Sequence, residues 1–210
     1  MCTCTCAMLT FFDDTMPFLK ENRTLPNLIT AVGLRLSDEA IRVAVAHRLG
    51  SKSCEPHTCV CGKAEDARGL HGLCCRRRAP RQRHSHLNDI LLRAIKPAQM
   101  PAVKEPINLM RDDNKRPDGT TLLPRARGKT TAWDVTVPDT YAESHIGSTA
   151  TKPGAAAQKT VQNKINKYSK LESTHIFYPF AIETAGTWHE MAIELTKEIG
   201  RRITTIMEDT

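Results

Sequence analysis

Apolar residues recur three or four positions apart in four segments of the chain, which predicts amphipathic helices there. The segments are residues 38–49, 85–96, 154–171 and 187–207, with Gly200 as a candidate break in the last one. Turn-rich stretches separate them, so we expect four separate helical elements.

The helix predicted at residues 38–49 has a clear end signal and a clear apolar face. Gly50 suits the C-cap position, where a left-handed residue commonly ends a helix. Ile41, Val45 and Leu49 fall at helical spacing, with Val43 nearby. We therefore expect a helix that packs through these three side chains.

The centre of the chain has the shorter period of β-strands. Apolar runs at residues 107–110, 120–124 and 131–137 predict three short strands separated by polar turns, and residues 175–184 predict a fourth. From residue 85 onward the predicted order is helix, three strands, helix, strand, helix. This order indicates a mixed α/β (α+β) fold.

Composition limits the class of protein. The 210 residues include 40% apolar residues, enough for a core, and Lys plus Arg exceed Asp plus Glu by 30 to 23, a formal charge of +7. A basic balance favours polyanionic partners such as nucleic acid. No apolar run reaches membrane-spanning length, and the N-terminus is a poor signal peptide. We therefore expect a nuclear or cytoplasmic protein that is neither secreted nor bound to a membrane.

The chain divides into three regions by composition. Residues 1–33 are expected to be irregular or disordered, as at the start of a chain cut from a longer one. Residues 34–83 hold the packing helix, a cysteine-rich knuckle and an arginine-rich segment. Residues 84–210 form the mixed α/β domain.

Seven potential metal ligands lie within 22 residues, in the segment CEPHTCVCGKAEDARGLHGLCC. Outside a secretory context, such density favours metal binding over disulfides. Cys59 and Cys61 form a CxC pair, and His71 and Cys75 follow as HxxxC. This spacing departs from standard zinc fingers, but the four residues offer the N and S ligands of a tetrahedral structural zinc site.

Three further members of the segment leave the ligand set open. Cys54, His57 and Cys74 are surplus to a four-coordinate site. Buried free cysteines and redox chemistry are the alternatives to metal binding. We predict about one zinc per chain.

An arginine-rich run follows the knuckle directly. It comprises Arg76, Arg77, Arg78, Arg81 and Arg83. Like charges at this density repel one another unless an anion shares the site, so phosphate contact is favoured over a solvated linker.

Two carboxylates mark the ends of neighbouring strands. Asp118 enters one predicted strand and Asp134 lies in the next, so the two residues can be side by side in an antiparallel pair. Adjacent carboxylates repel unless a cation bridges them, and Mg²⁺ prefers such oxygen ligands. The alternative is a turn residue and a strand-end residue with no common role.

The following helix carries candidate cations for the same place. Lys164 and Tyr168 are four residues apart and share one face, and Lys167 is close by. Without the surrounding pattern, a lysine on a helix is usually a solvated surface charge, and this alternative stays open.

The ordered set KRPDG, WDVTV, KINKY and FAIETAG resembles a PD-(D/E)XK restriction-like nuclease domain. With the upstream PHTCVCG, GLHGLCC and RHSHLNDI, it resembles more narrowly the C-terminal endonuclease part of non-LTR retrotransposon proteins. The resemblance covers roughly residues 33–203.

The resemblance implies a restriction-endonuclease-like core with catalytic Mg²⁺ or Mn²⁺ held by Asp118 and Asp134. The family's usual lysine position is Thr136 here, which makes Lys164 the catalytic candidate and Lys167 the second. Further implied roles concern six residues: Asn88, Asp89 or Glu105 as a third polar group near the metal, His84 and His86 near DNA phosphate, and Glu183 near the active centre or as a cap of the last helix.

The favoured function is a metal-dependent DNA endonuclease module that nicks a target strand, with a reverse transcriptase domain in the parent protein. Its nucleic-acid contacts are assigned to the arginine-rich run, His84 and Tyr168, and Cys75 is preferred to Cys74 as a zinc ligand. Two alternatives stay open: an inactive zinc-containing module that binds nucleic acid, and a zinc-stabilised protein-interaction domain.

Overall fold

A computed structural model describes residues 38–75, 79–107, 109, 116–140 and 142–209. The protein is mixed α/β and contains a mixed four-stranded sheet. The knuckle, residues 54–75, precedes this sheet in the chain. Helix α1 spans Asp38–Arg48 and leads into the knuckle.

The knuckle consists of a small hairpin followed by one helical turn and a half. Strands β1 (His57–Thr58) and β2 (Ala64–Glu65) pair antiparallel, and helix α2 spans Leu70–Cys74. Helix α3 then spans Ala79–Ile95.

The main sheet has the order β3-β4-β5-β6. Strands β3 (Ala102–Lys104), β4 (Gly119–Thr121) and β5 (Thr130–Thr136) form an antiparallel meander. Strand β6 (His175–Ala181) pairs in parallel with β5 because two helices make the crossover between them.

Besides β6, four helical elements follow β5 in the described part of the chain. Helix α4 spans Glu143–Thr149, helix α5 spans Ala155–Lys167, and a 3₁₀ helix covers Ser169–Ser173. Helix α6 spans Glu190–Glu208 and runs through Gly200 without a break. The predicted helix at 154–171 is therefore two elements, and α4 was missed because its residues show no apolar periodicity.

The core lies between one face of the sheet and helices α3 and α6. It is made of alternate residues of β5 and β6 and of one stripe on each helix, namely Leu87, Leu91, Ile95, Trp133, Val135, Phe180, Leu195, Ile199 and Ile203. A smaller cluster covers the other face and contains Ala132, Tyr168 and Leu171. Successive β5 residues thus face opposite sides, which directs Asp134 away from the larger core.

Three local predictions are wrong. The first strand lies at Ala102–Lys104 and not at 107–110, where Ile107 and Leu109 are outside any strand. Helix α3 begins at Ala79, so part of the arginine-rich run is helical.

The third concerns the packing face of α1. Val43 and Ala46 are buried, whereas Ile41, Val45 and Leu49 are exposed in the described structure. Helical spacing identified a real stripe, but the neighbouring stripe is the one that packs.

Candidate functional site

Four side chains of the knuckle converge on one point. Cys59, Cys61, His71 and Cys75 each offer one ligand atom, and these four atoms lie within 4.8 Å of one another. This is the ligand set predicted from the sequence. Such a cluster could hold a zinc ion.

The spacing of the ligand atoms fits a tetrahedral site. The Sγ atoms of Cys59 and Cys75 are 3.7 Å apart, and two thiolates bound to one zinc at about 2.3 Å stand about 3.8 Å apart. Cys61 Sγ and His71 Nε2 are 3.0 Å apart, whereas a zinc ion sets this pair about 3.5 Å apart. Binding therefore requires the imidazole to withdraw by about half an ångström.

The local sequence explains the convergence. Gly62 has a φ of 86°, which a residue with a side chain rarely adopts, and its N–H donates to the Cys59 carbonyl at 2.8 Å. This turn brings Cys61 back toward Cys59. The carboxylate of Glu65, on β2, accepts from the N–H of His71 at 2.7 Å and so positions α2.

Two of the surplus residues, Cys54 and His57, do not belong to the four-ligand cluster. Cys54 Sγ contacts the Asp66 carbonyl, and His57 Nδ1 lies 2.9 Å from the Glu55 carbonyl. The side chain of Cys74 is outside the described structure. The backbone N–H of Cys61 lowers the pKa of the Cys59 thiol, but desolvation and the thiols of Cys61 and Cys75 outweigh it, so this pKa is raised. A cation at the centre would relieve that crowding.

The arginine-rich run is only partly described. Arg76, Arg77 and Arg78 lie outside the described residues, as does the side chain of Arg81. Arg83 lies in α3 and is buried, so a phosphate cannot reach it freely in this arrangement.

The second site lies where β4 begins, beside β5. The N–H of Asp118 donates to the Trp133 carbonyl at 3.0 Å, and Asp118 Oδ2 accepts from the N–H of Val135 at 2.6 Å. These contacts involve the residues on either side of Asp134. Asp118 is therefore the cross-strand neighbour of Asp134, as an antiparallel pair requires.

Two side chains, one on α5 and one directly after it, bind the carboxylate of Asp134. Its Oδ1 accepts from Lys164 Nζ, and its Oδ2 accepts from the Tyr168 hydroxyl at 2.6 Å. The hydroxyl also lies 2.8 Å from the Arg116 carbonyl, and Lys167 Nζ donates to it at 2.9 Å. Lys164 and Tyr168 reach Asp134 together because they lie one turn apart.

Tyr168 is fully buried. Burial raises the pKa of this phenol, and the hydrogen bond to Asp134 raises it further, so the hydroxyl stays a proton donor. The predicted contact of Tyr168 with nucleic acid is wrong, since its side chain has no exposed surface. Its position instead makes it a support for Asp134.

His84, on α3, reaches the first carboxylate. Its Nε2 lies 2.8 Å from Asp118 Oδ2, and this hydrogen bond raises the pKa of His84 above its ordinary value. The charges of Asp118 and Asp134 act in the same direction, against burial and the charge of Lys164. The imidazole predicted to contact DNA phosphate is thus already bonded to a carboxylate.

The three residues that the sequence offered as a third polar group near the metal are Asn88, Asp89 and Glu105. Their side chains do not meet at one point. Asn88 Nδ2 donates to the Asp118 carbonyl at 3.3 Å, and Asp89 pairs with Lys104 at the surface. Glu105 donates its backbone N–H to the Asp118 carbonyl, but its carboxylate pairs with Arg116 at 2.7 Å. Glu105 therefore adjoins the site without aiming its side chain at the carboxylate pair.

Among the described residues, one group of three or more His, Cys or carboxylate side chains has a spacing that suits a metal ion. This group is the knuckle cluster. Asp118 and Asp134 do not belong to such a group. Their charges nonetheless act together on His84 and on Tyr168.

Glu183 caps the helix that carries Lys164. It is buried, its Oε1 accepts from the N–H of Ala157 in the first turn of α5 at 3.0 Å, and its Oε2 accepts from Thr140 Oγ1. The sequence left open whether Glu183 lies near the active centre or caps the last helix. It caps α5, and His189 caps α6 by accepting from the N–H of Met191.

Replacing Glu183 with alanine is expected to destabilise the chain by about 2 kcal/mol, because a buried helix N–H loses its acceptor. Glu183→Gln keeps an oxygen acceptor and should lose less. Urea denaturation of both variants measures the difference. Equal stability of Glu183→Ala and the unmodified chain would contradict the capping role.

Sequence reasoning missed the Asp118 partner His84 and the cap of α5. A histidine in a basic run gives no signal of a carboxylate 34 positions later.

Comparison with protein-family models, with curated proteins and with solved structures found no match. Within the described helices, none is long and apolar enough to cross a bilayer.

Proposed function

We propose that the chain is a metal-dependent DNA endonuclease module. The observation that supports this most is the placement of Asp118 beside Asp134 with Lys164 bonded to the second carboxylate. Two carboxylates on adjacent strands with a cation at one of them are a donor set for a divalent ion and a phosphate. The restriction-like motif order in the sequence supports the same function.

The proposed reaction is hydrolysis of a phosphodiester. Water adds to phosphorus, the bond to one bridging oxygen breaks, and the proton released by water ends on the leaving oxygen. A divalent ion held by Asp118 and Asp134 would supply Lewis-acid stabilisation and a more acidic water. The ammonium of Lys164 stabilises the additional negative charge on the phosphate.

The side chains of Asp134, Lys164 and Asp118 differ in their exposure to solvent. The side chain of Asp134 is 4% exposed, that of Lys164 is 23% exposed and that of Asp118 is 16% exposed. Asp134 is therefore a fixed anchor, whereas Lys164 and Asp118 remain accessible to a ligand. Lys159, Lys167 and Lys170 are exposed on or just after α5 and add positive charge to this part of the chain.

One observation favours a second candidate, an inactive module that binds nucleic acid. Both oxygens of Asp134 already have protein partners, Lys164 and Tyr168. A carboxylate satisfied in this way needs no metal. The experiment below distinguishes the two functions.

Supercoiled plasmid incubated with the chain and Mg²⁺ or Mn²⁺ is expected to become nicked. The double variant Asp118→Ala and Asp134→Ala should reduce nicking to background, because it removes both carboxylates. Asp89→Asn is the matched control, since Asp89 is exposed and pairs with Lys104, and it should retain activity.

Binding measured beside cleavage separates the alternatives. Equal, background-level nicking by the chain and the double variant, with salt-dependent plasmid affinity, would contradict the nuclease and establish the binding module. Absence of both nicking and salt-dependent affinity would exclude both and leave the protein-interaction domain.

A further inference from the structure

We propose that the turn between β4 and β5, together with the part of α6 that it contacts, binds the phosphate backbone of duplex DNA. The turn contributes Arg125 and Arg127, and α6 contributes Arg201 and Arg202. The inference rests on the proposed function, because it names a second contact with the same polymer. It places this contact away from the carboxylate pair.

Arg127 has a backbone conformation that an arginine disfavours. Residues 126–129 form a tight turn, which is closed by a hydrogen bond from the Lys129 N–H to the Ala126 carbonyl at 2.9 Å. The two central residues, Arg127 and Gly128, have φ values of 53° and 72°, as a type I′ turn requires, and Asn-Gly is the preferred pair there. Arginine at the first central position therefore lowers stability relative to asparagine. Such strain is concentrated at functional sites, and here it places a positive charge at an exposed tip.

The turn keeps this conformation because contacts fix both of its ends. The N–H of Arg125 donates to the Lys129 carbonyl at 2.8 Å, and Lys129 Nζ donates to the Glu172 carbonyl in the 3₁₀ helix at 2.5 Å. On the other side, Arg125 Nε lies 3.5 Å from Glu198 Oε1 on α6. Arg127 is thus exposed on a turn that is anchored to two other elements.

Positive charge exceeds negative charge where the turn meets α6. Glu198 binds three guanidinium groups, those of Arg125, Arg201 and Arg202. One carboxylate cannot neutralise three such groups, and the buried Nη1 of Arg125 has no hydrogen-bond partner among the described residues. The guanidinium of Arg125 also lies over the Tyr178 ring, 5.3 Å from its centre, but a ring face supplies no anionic acceptor. Arg201 is 70% exposed, so a phosphate can reach this group from solvent.

The chemistry and position of this surface identify its ligand. A second carboxylate, that of Glu194, accepts from the Tyr178 hydroxyl at 2.8 Å, so four guanidinium groups still exceed two carboxylates. Guanidinium groups bind phosphate oxygens in pairs. The turn directly precedes Thr130, and Asp134 lies four residues further on, about 13 Å along β5. Phosphates of one DNA strand follow one another at about 3.4 Å along the axis, so only a polymer supplies both places, and this surface contributes affinity and not hydrolysis.

The test measures binding of the zinc-loaded chain to a fluorescently labelled DNA duplex by anisotropy, at several salt concentrations and without Mg²⁺ or Mn²⁺, so that cleavage does not interfere. Arg127→Asn should weaken binding about eightfold at about 0.1 M salt and reduce the slope of log affinity against log salt by about 0.9, the effect of one phosphate contact. The same variant should raise the urea midpoint, because asparagine suits the turn. Weaker binding by a more stable variant separates a binding role from a structural one.

Two matched variants complete the test. Arg127→Lys keeps the charge and should retain most of the affinity. Arg42→Gln removes an exposed guanidinium on α1 that pairs with Glu39, and it should change neither the affinity nor the slope.

The outcomes separate this inference from the proposed function. If Arg127→Asn binds the duplex as tightly as the unmodified chain, has a lower urea midpoint, or weakens binding no more than Arg42→Gln, the inference is overturned, while nicking that requires Asp118 and Asp134 still supports the nuclease. If the unmodified chain has no salt-dependent affinity for DNA, the proposed function fails and the inference fails with it.

Discussion

Stripping zinc from the purified chain is expected to unfold the knuckle, residues 54–75, while the four-stranded sheet stays folded. The knuckle has two strands of two residues and one helix of five, too little to bury a core of its own. Structural zinc supplies roughly 10–16 kcal/mol of apparent binding free energy in zinc-finger peptides. The sheet has a separate core between β5, β6, α3 and α6, so it does not depend on the ion.

Elemental analysis of protein purified without added metal should find about one zinc per chain. Amide hydrogen exchange should show that chelation removes protection from the knuckle and leaves β5 protected. Cys75→Ser should reproduce the effect because Cys75 belongs to the cluster, whereas Cys54→Ser is the matched control outside it. Near-zero zinc with freely titratable thiols would remove the zinc site, and equal effects of the two variants would remove the ligand assignment.

The ligand set could be predicted from sequence because metal ligands are few in kind and close in the chain. Cys59 and Cys61 are separated by one residue, and the Gly62 turn signals that the chain reverses there. The choice of Cys75 over Cys74 needed the resemblance, and the structure places Cys75, the residue directly after α2, in the cluster with His71.

The carboxylate pair could be predicted from strand periodicity, although its surroundings could not. Period two in residues 131–137 placed Asp134 within a strand, and β5 covers Thr130–Thr136. Which side chains approach from α3 and α5 depends on how the helices cross the sheet. Sequence spacing within one helix put Lys164 and Tyr168 on one face, but it could not show that this face meets Asp134 and buries the phenol.

Two of the wrong predictions share one physical cause, tertiary contacts that outweigh local signals. Ile107 and Leu109 read as a strand, but the pairing partner of β4 is Ala102–Lys104. Ile41 and Val45 read as the packing face of α1, but Val43 makes the contact. Apolar spacing limits which faces can pack and does not say which face meets a neighbour.

Replacing Gly119 with alanine is expected to destabilise the sheet by about 3–5 kcal/mol, a large share of the stability of a typical domain. Gly119 lies opposite Trp133 in the register of β4 and β5. A Cβ at Gly119 would overlap the indole, with 2.7 Å to Cη2 and less to Cζ2 and Cε2. The indole cannot move aside because it is fully buried and donates to Asn88, so overpacking and a lost hydrogen bond add together.

Urea denaturation monitored by circular dichroism measures this cost as a lower midpoint at an unchanged slope. Gly147→Ala is the matched control, because Gly147 lies in α4 and an added Cβ meets nothing within 4 Å. Its stability should be unchanged or slightly raised. If Gly119→Ala also stays within about 1 kcal/mol of the unmodified chain, the packing of Trp133 on β4 is wrong.

A compensating variant identifies the indole as the cause. Trp133→Phe removes the ring atoms that a Cβ at Gly119 would meet, so adding it to Gly119→Ala should recover part of the lost stability. Two residues in contact are expected to couple by about 0.5–3 kcal/mol in such a cycle. The glycine after Asp118 is then required by the neighbouring strand and not by a turn, and the same close approach of β4 to β5 brings Asp118 beside Asp134.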